Sequence, residues 1–185
     1  MFELNIVHYC HAQCFPLHSI TELSEAEAYQ MAKKLGENNG TAFGRFKDFV
    51  NYYPRRIATE KWLYNWFLKL GGEPKTEHPL YFVLEGSNYL DEWFDKGKII
   101  KLPLSIINEK HISFTIGDSC ANFDKEDRKE PFLKEKLYEM IENNNGTADE
   151  LLKKIYKDYH CHYIECQLWD KSYLNDIINN PALKG

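Results

Sequence analysis

The sequence predicts an α+β fold: a single compact domain over residues 1–185, with a mixed or antiparallel sheet and packed helices. Two observations carry that expectation. Helix-period and strand-period segments follow one another without a regular strand–helix–strand rhythm, which disfavours a doubly wound parallel sheet. Hydrophobic residues make up 43% of the chain and aromatics 15%, enough apolar surface for a real core.

The elements follow in order. Residues 2–7 alternate as a strand. Ser24 and Glu27 stand at capping-box spacing before a helix with Ala28, Met31, Ala32 and Leu35 as its apolar stripe and Gly36 as its stop. After the loop "GENNGT", the run "AFGRFKDFVNYYPRR" carries aromatics on a short repeat, and Pro54 predicts a break. Thr59 reads as the N-cap of a helix whose face is Leu63, Trp66, Phe67 and Leu70, ended by Gly71. "LYFVLE" reads as a buried strand. Ser87 caps a short helix that turns Leu90, Trp93 and Phe94 inward, and Gly97 closes it. "KIIKLPL" and "HISFTI" are further strands, with Pro103 marking an edge. Pro131 opens a helix with Leu133, Leu137, Met140 and Ile141 on its face. Thr147 and Glu150 stand as a second capping box, "YIECQLW" alternates as the last strand, and a short helix follows from Ser172.

Charge and cysteine usage narrow the class of function. Lys and Arg number 23 against 28 Asp and Glu, a net charge of -5, so no general attraction to nucleic acid or anionic membrane follows. No apolar run reaches the roughly 18 residues that span a bilayer, and "MFELNIVHYCHAQC" lacks the pattern of a secretion signal. Five cysteines, an odd count, predict reduced thiols and a cytoplasmic protein without a membrane partner. The sequence names no cofactor and leaves nucleic acid open as a partner.

Four groups of residues bear on chemistry. His8, Cys10, His11 and Cys14 in "HYCHAQC" and His160, Cys161, His162 and Cys166 in "HCHYIEC" are zinc-ligand types. Their spacing is poorer than a CxxC knuckle, so no metal is expected. "FGRFKDFVNYYPRR" sets Arg45, Lys47, Arg55 and Arg56 among Phe43, Phe46, Phe49, Tyr52 and Tyr53, the mixture that stacking plus phosphate contact requires. An amphipathic element with aromatics in the core and cations in water is the structural alternative. "TIGDS" puts Asp118 and Ser119 just after a strand, as a cleft rim or simply a turn. Along the last strand, Tyr163, Glu165, Gln167 and Trp169 share one face, opposite Ile164, Cys166 and Leu168. Facing a cleft, Glu165 would be a positioned carboxylate; facing solvent, an ordinary one. No GxxxxGK[ST], GxGxxG, GxSxG, HExxH or EF-hand pattern occurs.

At "HPLYFVLEGSNYLDEWF", "ISFTIGDS" and "YIECQLWD", and through "FGRF" and "YYPRRIATEKWLY", the chain resembles a family of cytoplasmic proteins of Gram-positive, clostridial-type bacteria that has no assigned function. More distantly it is similar to ADP-ribosyltransferases and RNA 2'-phosphotransferases. That resemblance implies a histidine on an early strand, a central aromatic and a glutamate on a late strand. His18, Tyr81 (or Tyr89) and Glu165 occupy that order, and Ile20 departs from the Ser or Thr usual two positions after the histidine. It implies a nucleotide-using transferase with Glu165, His18 and Tyr81 as catalytic residues. Arg45, Arg55, Arg56, Tyr53, Gln167, Asp118 and Ser119 would bind the ligand, a small-molecule nucleotide. The alternative is a non-catalytic module that binds a nucleotide, nucleic acid or protein through the same aromatic and basic surface.

Overall fold

The computed structural model describes residues 3–175. Its fold is α+β, built on one five-stranded antiparallel sheet. The strands are β1 (Asn5–Cys10), β2 (Leu80–Leu84), β3 (Lys98–Pro103), β4 (Ile112–Ile116) and β5 (Ile164–Leu168). They lie in the order β3-β1-β2-β5-β4, and every neighbouring pair is antiparallel. The helices are α1 (Glu25–Gly36), α2 (Gly44–Lys47), α3 (Phe49–Lys69), α4 (Asn88–Trp93), α5 (Lys134–Glu142) and α6 (Ala148–Tyr159).

Strand alternation separates two faces. Ile6, Leu80, Phe82, Leu84, Ile112, Phe114, Ile164, Cys166 and Leu168 point one way and form the main core with Leu137 and Ile141 of α5 and Leu151 and Ile155 of α6. Each large side chain buried there contributes about 1.5–3 kcal/mol. The opposite face meets α3, whose Leu63 and Phe67 pack with Trp169. A third cluster, Ala28 and Ala32 with Phe49 and Tyr53, joins α1 to the first turns of α3.

Most of the expected elements form, and the departures have physical causes. Ser24 and Glu27 make a full capping box at α1, and Ser87 caps α4. Thr147 accepts from the N–H of Glu150 at 3.3 Å and caps α6 alone. β1 is shifted towards Cys10; Phe2, its expected first residue, lies outside the described residues.

Pro54 does not end a helix. It sits exposed in the second turn of α3, where the single missing backbone donor is tolerated and the first turn is anchored on the carbonyl of Asp48. Thr59 is therefore no N-cap: it is mid-helix, fully buried, and donates its hydroxyl to the carbonyl of Arg55 at 2.8 Å. Continuity through Pro54 also resets the buried stripe. Leu63 and Phe67 are inside, whereas Trp66 is half-buried under the Lys69 ammonium and Leu70 is exposed. Met31 is exposed too. Pro131 precedes a single strand-like bridge between Phe132 and Phe114, so α5 begins only at Lys134. The chain after Asp170 forms a 3-10 turn over Lys171–Leu174. Among the described residues, no helix is long and apolar enough to cross a membrane.

Candidate functional site

Glu165 and Gln167 of β5, with Trp169 just after the strand, share a buried face that α3 covers, and Tyr163, just before the strand, is buried against Val7 and Val83. Register sets Val83 of β2 and Thr115 of β4 beside Glu165, and Tyr81 and Ser113 beside Gln167. α3 lays Arg56, Thr59, Glu60, Leu63 and Phe67 over this face at spacings of one, three and four residues, a single helical stripe. The segment after β4 closes one side. Gly117 takes a left-handed turn (φ +70°), and Asp118 Oδ1 accepts the N–H groups of Cys120 and Ala121 at 2.9 and 2.8 Å. That turn points the Ser119 hydroxyl inward.

Glu165 is 6% exposed. Its Oε1 accepts from the Ser119 hydroxyl at 2.5 Å, from Gln167 Nε2 at 2.9 Å and from the Thr115 hydroxyl at 3.4 Å. None of the described residues donates to Oε2. Burial and then the nearby charge of Asp118 push the Glu165 carboxyl up to about 7, against the Arg56 charge and the Ser119 and Gln167 hydrogen bonds.

A second, linked group surrounds Glu60, whose side chain is 1% exposed. Arg56 Nε donates to Glu60 Oε1 at 2.9 Å, and the Arg56 guanidinium lies 3.6 Å over the Tyr81 ring. The Tyr81 hydroxyl donates to the same Glu60 oxygen at 3.2 Å, while His78 Nδ1 bonds Oε2 at 2.7 Å. Burial alone would raise the Glu60 pKa; the His78 hydrogen bond and the Arg56 charge outweigh it and hold the carboxyl low. The same hydrogen bond raises the His78 pKa. Burial raises the Tyr81 hydroxyl far above its usual range, so it stays a neutral donor.

Folding thus gathers Glu165, Gln167, Tyr81, Arg56, Asp118 and Ser119. It does not gather the other expected residues. His18 is exposed in the connection after β1, on no strand, and makes no hydrogen bond with the described residues. The histidine on the first strand is His8, on the main-core side, with both ring nitrogens engaged: Nδ1 to the Tyr81 carbonyl at 2.8 Å and Nε2 accepting from Leu17 N–H at 3.2 Å. Tyr53 is a core residue of the α1–α3 cluster. Arg55 projects outward, 49% exposed, and pairs with Asp124 at 2.5 Å. Arg45 stacks its guanidinium on Phe46 and Phe94, beside Cys14. Adjacent helical residues point about 100° apart, so Arg55 and Arg56 were bound to separate. Tyr89, the alternative central aromatic, stacks on His162 at 4.5 Å, exposed to solvent.

Sequence reasoning missed Glu60, His78, Ser113 and Thr115. Glu60 had a signal, an acid four residues after Arg56, hidden by starting the helix at Thr59, which left Arg56 outside it. His78 and the two hydroxyls had none, because their roles arise from cross-strand register alone. All five cysteines are free thiols, and among the described residues no three His, Cys, Asp or Glu side chains are placed to hold a metal ion. Burial raises the Cys10 thiol to about 11. No protein family, curated protein or solved structure matches the chain.

Proposed function

We propose that the protein is a nucleotide-using transferase whose reacting group is held at Glu165. One observation carries the reading: a carboxyl buried in the sheet has one oxygen held by several donors and the other without a donor among the described residues, beside Asp118, Ser119 and the largely buried Arg56. An ordinary structural carboxylate in such a place would pair directly with a cation; Glu165 has no ion-pair partner among the described residues. Oε2 is free to accept a ribose hydroxyl and to stabilise positive charge developing at the sugar. A carboxyl near neutrality also suits proton transfer at physiological pH. Of the order His18, Tyr81 and Glu165 that resembles ADP-ribosyltransferase-like proteins, Tyr81 and Glu165 remain near one another in the sheet without His18, and that remainder supports nucleotide as the substrate class.

The phosphate clamp imagined from three arginines shrinks to one. Of those three arginines, Arg56 stands near Glu165, and its charge is shared with Glu60. The reading therefore places most of the recognition on hydrogen bonds and ring contacts rather than on phosphate charge. The test is calorimetric titration of nucleotides into the parent protein and Glu165→Gln, with melting curves of both. Nucleotide binding by the parent that weakens in the variant, with the fold kept, supports the enzyme. A non-catalytic binding module would bind through the outer Arg45 and Arg55 surface and lose nothing on Glu165→Gln.

A further inference from the structure

Trp169, Ser113, Gln167 and Glu165 form one buried hydrogen-bonded chain across β4 and β5, and its direction follows from chemistry. An indole Nε1–H can only donate, and Trp169 gives it to Ser113 Oγ at 2.9 Å. The Ser113 oxygen accepts there, so its single hydrogen must go elsewhere; Gln167 Oε1 lies 2.9 Å away. That fixes the amide. Its oxygen faces Ser113, and Nε2 donates to Thr115 Oγ1 and Glu165 Oε1, each at 2.9 Å. The flipped amide would strand the Ser113 hydrogen at a residue with no exposure and set two oxygens against each other at Glu165.

The relay meets the Ser119 hydroxyl at Glu165 Oε1. With the Gln167 N–H fixed on it and the Ser119 hydroxyl at hydrogen-bond distance, that oxygen is the less favourable place for a proton. We infer that Trp169 and Ser113 are positioning residues which, through Gln167, hold Glu165 Oε1 as an acceptor and place the exchangeable proton on Oε2. This rests on the reading of Glu165 as the reacting centre and deepens it by assigning which oxygen works. The titratable and charged groups facing Glu165 are Asp118 from the turn after β4, Arg56 from α3, Tyr81 from β2, and Tyr163 just before β5. Cys166 neighbours it from the opposite face. None of them is altered by changing Ser113 or Trp169.

The test is a carbon-13 NMR titration of the Glu165 carboxyl in glutamate-labelled protein, its resonance assigned by loss in Glu165→Gln. Ser113→Ala removes the donor that pins the amide, and Trp169→Phe removes the indole N–H while keeping a ring on Phe67. Ser113→Ala should raise the Glu165 midpoint by about one pH unit, tenfold in proton affinity, and Trp169→Phe should move it in the same direction. Tyr64→Phe, which keeps the ring packed edge-on against Trp169 and lies outside the relay, should leave it in place. A folded Ser113→Ala protein with an unchanged midpoint overturns the inference, and decides it even where Trp169→Phe does not fold. The titration uses no nucleotide, so the orienting relay and the transferase reading fail by different results.

Discussion

The Ser119 hydroxyl donates to Glu165 Oε1 across 2.5 Å and ties the turn after β4 to the middle of β5. The two residues are 46 apart in the chain, and both are buried. Removing the donor strips Glu165 of its closest partner. Ser119→Ala should cost about 1–3 kcal/mol, the range for a buried acceptor losing a bond. A urea denaturation midpoint equal to the parent's would show that this contact does not hold the turn.

On α3, Phe67 is fully buried and stacks on Trp169 with centroids 5.4 Å apart, whereas Trp66 is half-buried. Phe67→Ala should therefore destabilise by about 3–5 kcal/mol. Trp66→Ala should cost clearly less, about 1 kcal/mol, since the ring keeps contact with water. Equal losses in chemical denaturation would contradict the burial pattern of this helix.

The fold was legible where local chemistry decides it and illegible where tertiary context does. Ser24, Glu27 and Ser87 announce their helices because capping is local, and β5 announces its two faces by alternation. Which face of β5 would be covered was not readable: Glu165 and Gln167 look like surface residues until α3 lies over them. Pro54 hid that cover, because a proline in the second turn of a helix and one that ends a segment leave the same mark in the sequence. Asp118 and Ser119 were marked out by their place after a strand, and they stand beside Glu165. Tyr53, Arg45 and Arg55 were misplaced because a run rich in aromatics and arginines says nothing about which neighbours share a helical face.

His78 and Glu60 give a pH signature of their own. Glu60 is depressed in the folded protein, so its contribution is present above its usual value of 4.5 and fades as pH falls through the lower folded value. His78 is raised, so its contribution is full below 6.5 and fades as pH rises through the higher folded value. The pair therefore supports the fold best between about pH 4.5 and 6.5. In His78→Ala, the loss of stability above that window should be smaller than in the parent. Parallel melting profiles of the two proteins across neutral pH would contradict the pairing.

Glu165 runs with the opposite sign to Glu60. It binds its proton more tightly folded than unfolded, so stability should decline as pH rises from about 4.5 to about 7. Measured against Glu165→Gln, which carries an amide N–H where the protonated oxygen stood, the parent should lose about 3 kcal/mol across that interval and then level off. A constant difference between the two proteins from pH 4 to 8 would mean that Glu165 does not titrate there.

The central claim is that Glu165 serves ligand chemistry more than folding, and paired measurements on Glu165→Gln at neutral pH test it most directly. The variant should melt no lower than the parent, since the oxygen of the substituted amide can still accept from Ser119 and Gln167. Its affinity for the nucleotide that the parent binds should fall by about ten- to a hundredfold, the loss of a hydrogen bond to a charged acceptor. A variant that loses several kcal/mol of stability while binding nucleotide as tightly as the parent would make Glu165 a structural residue and contradict the account.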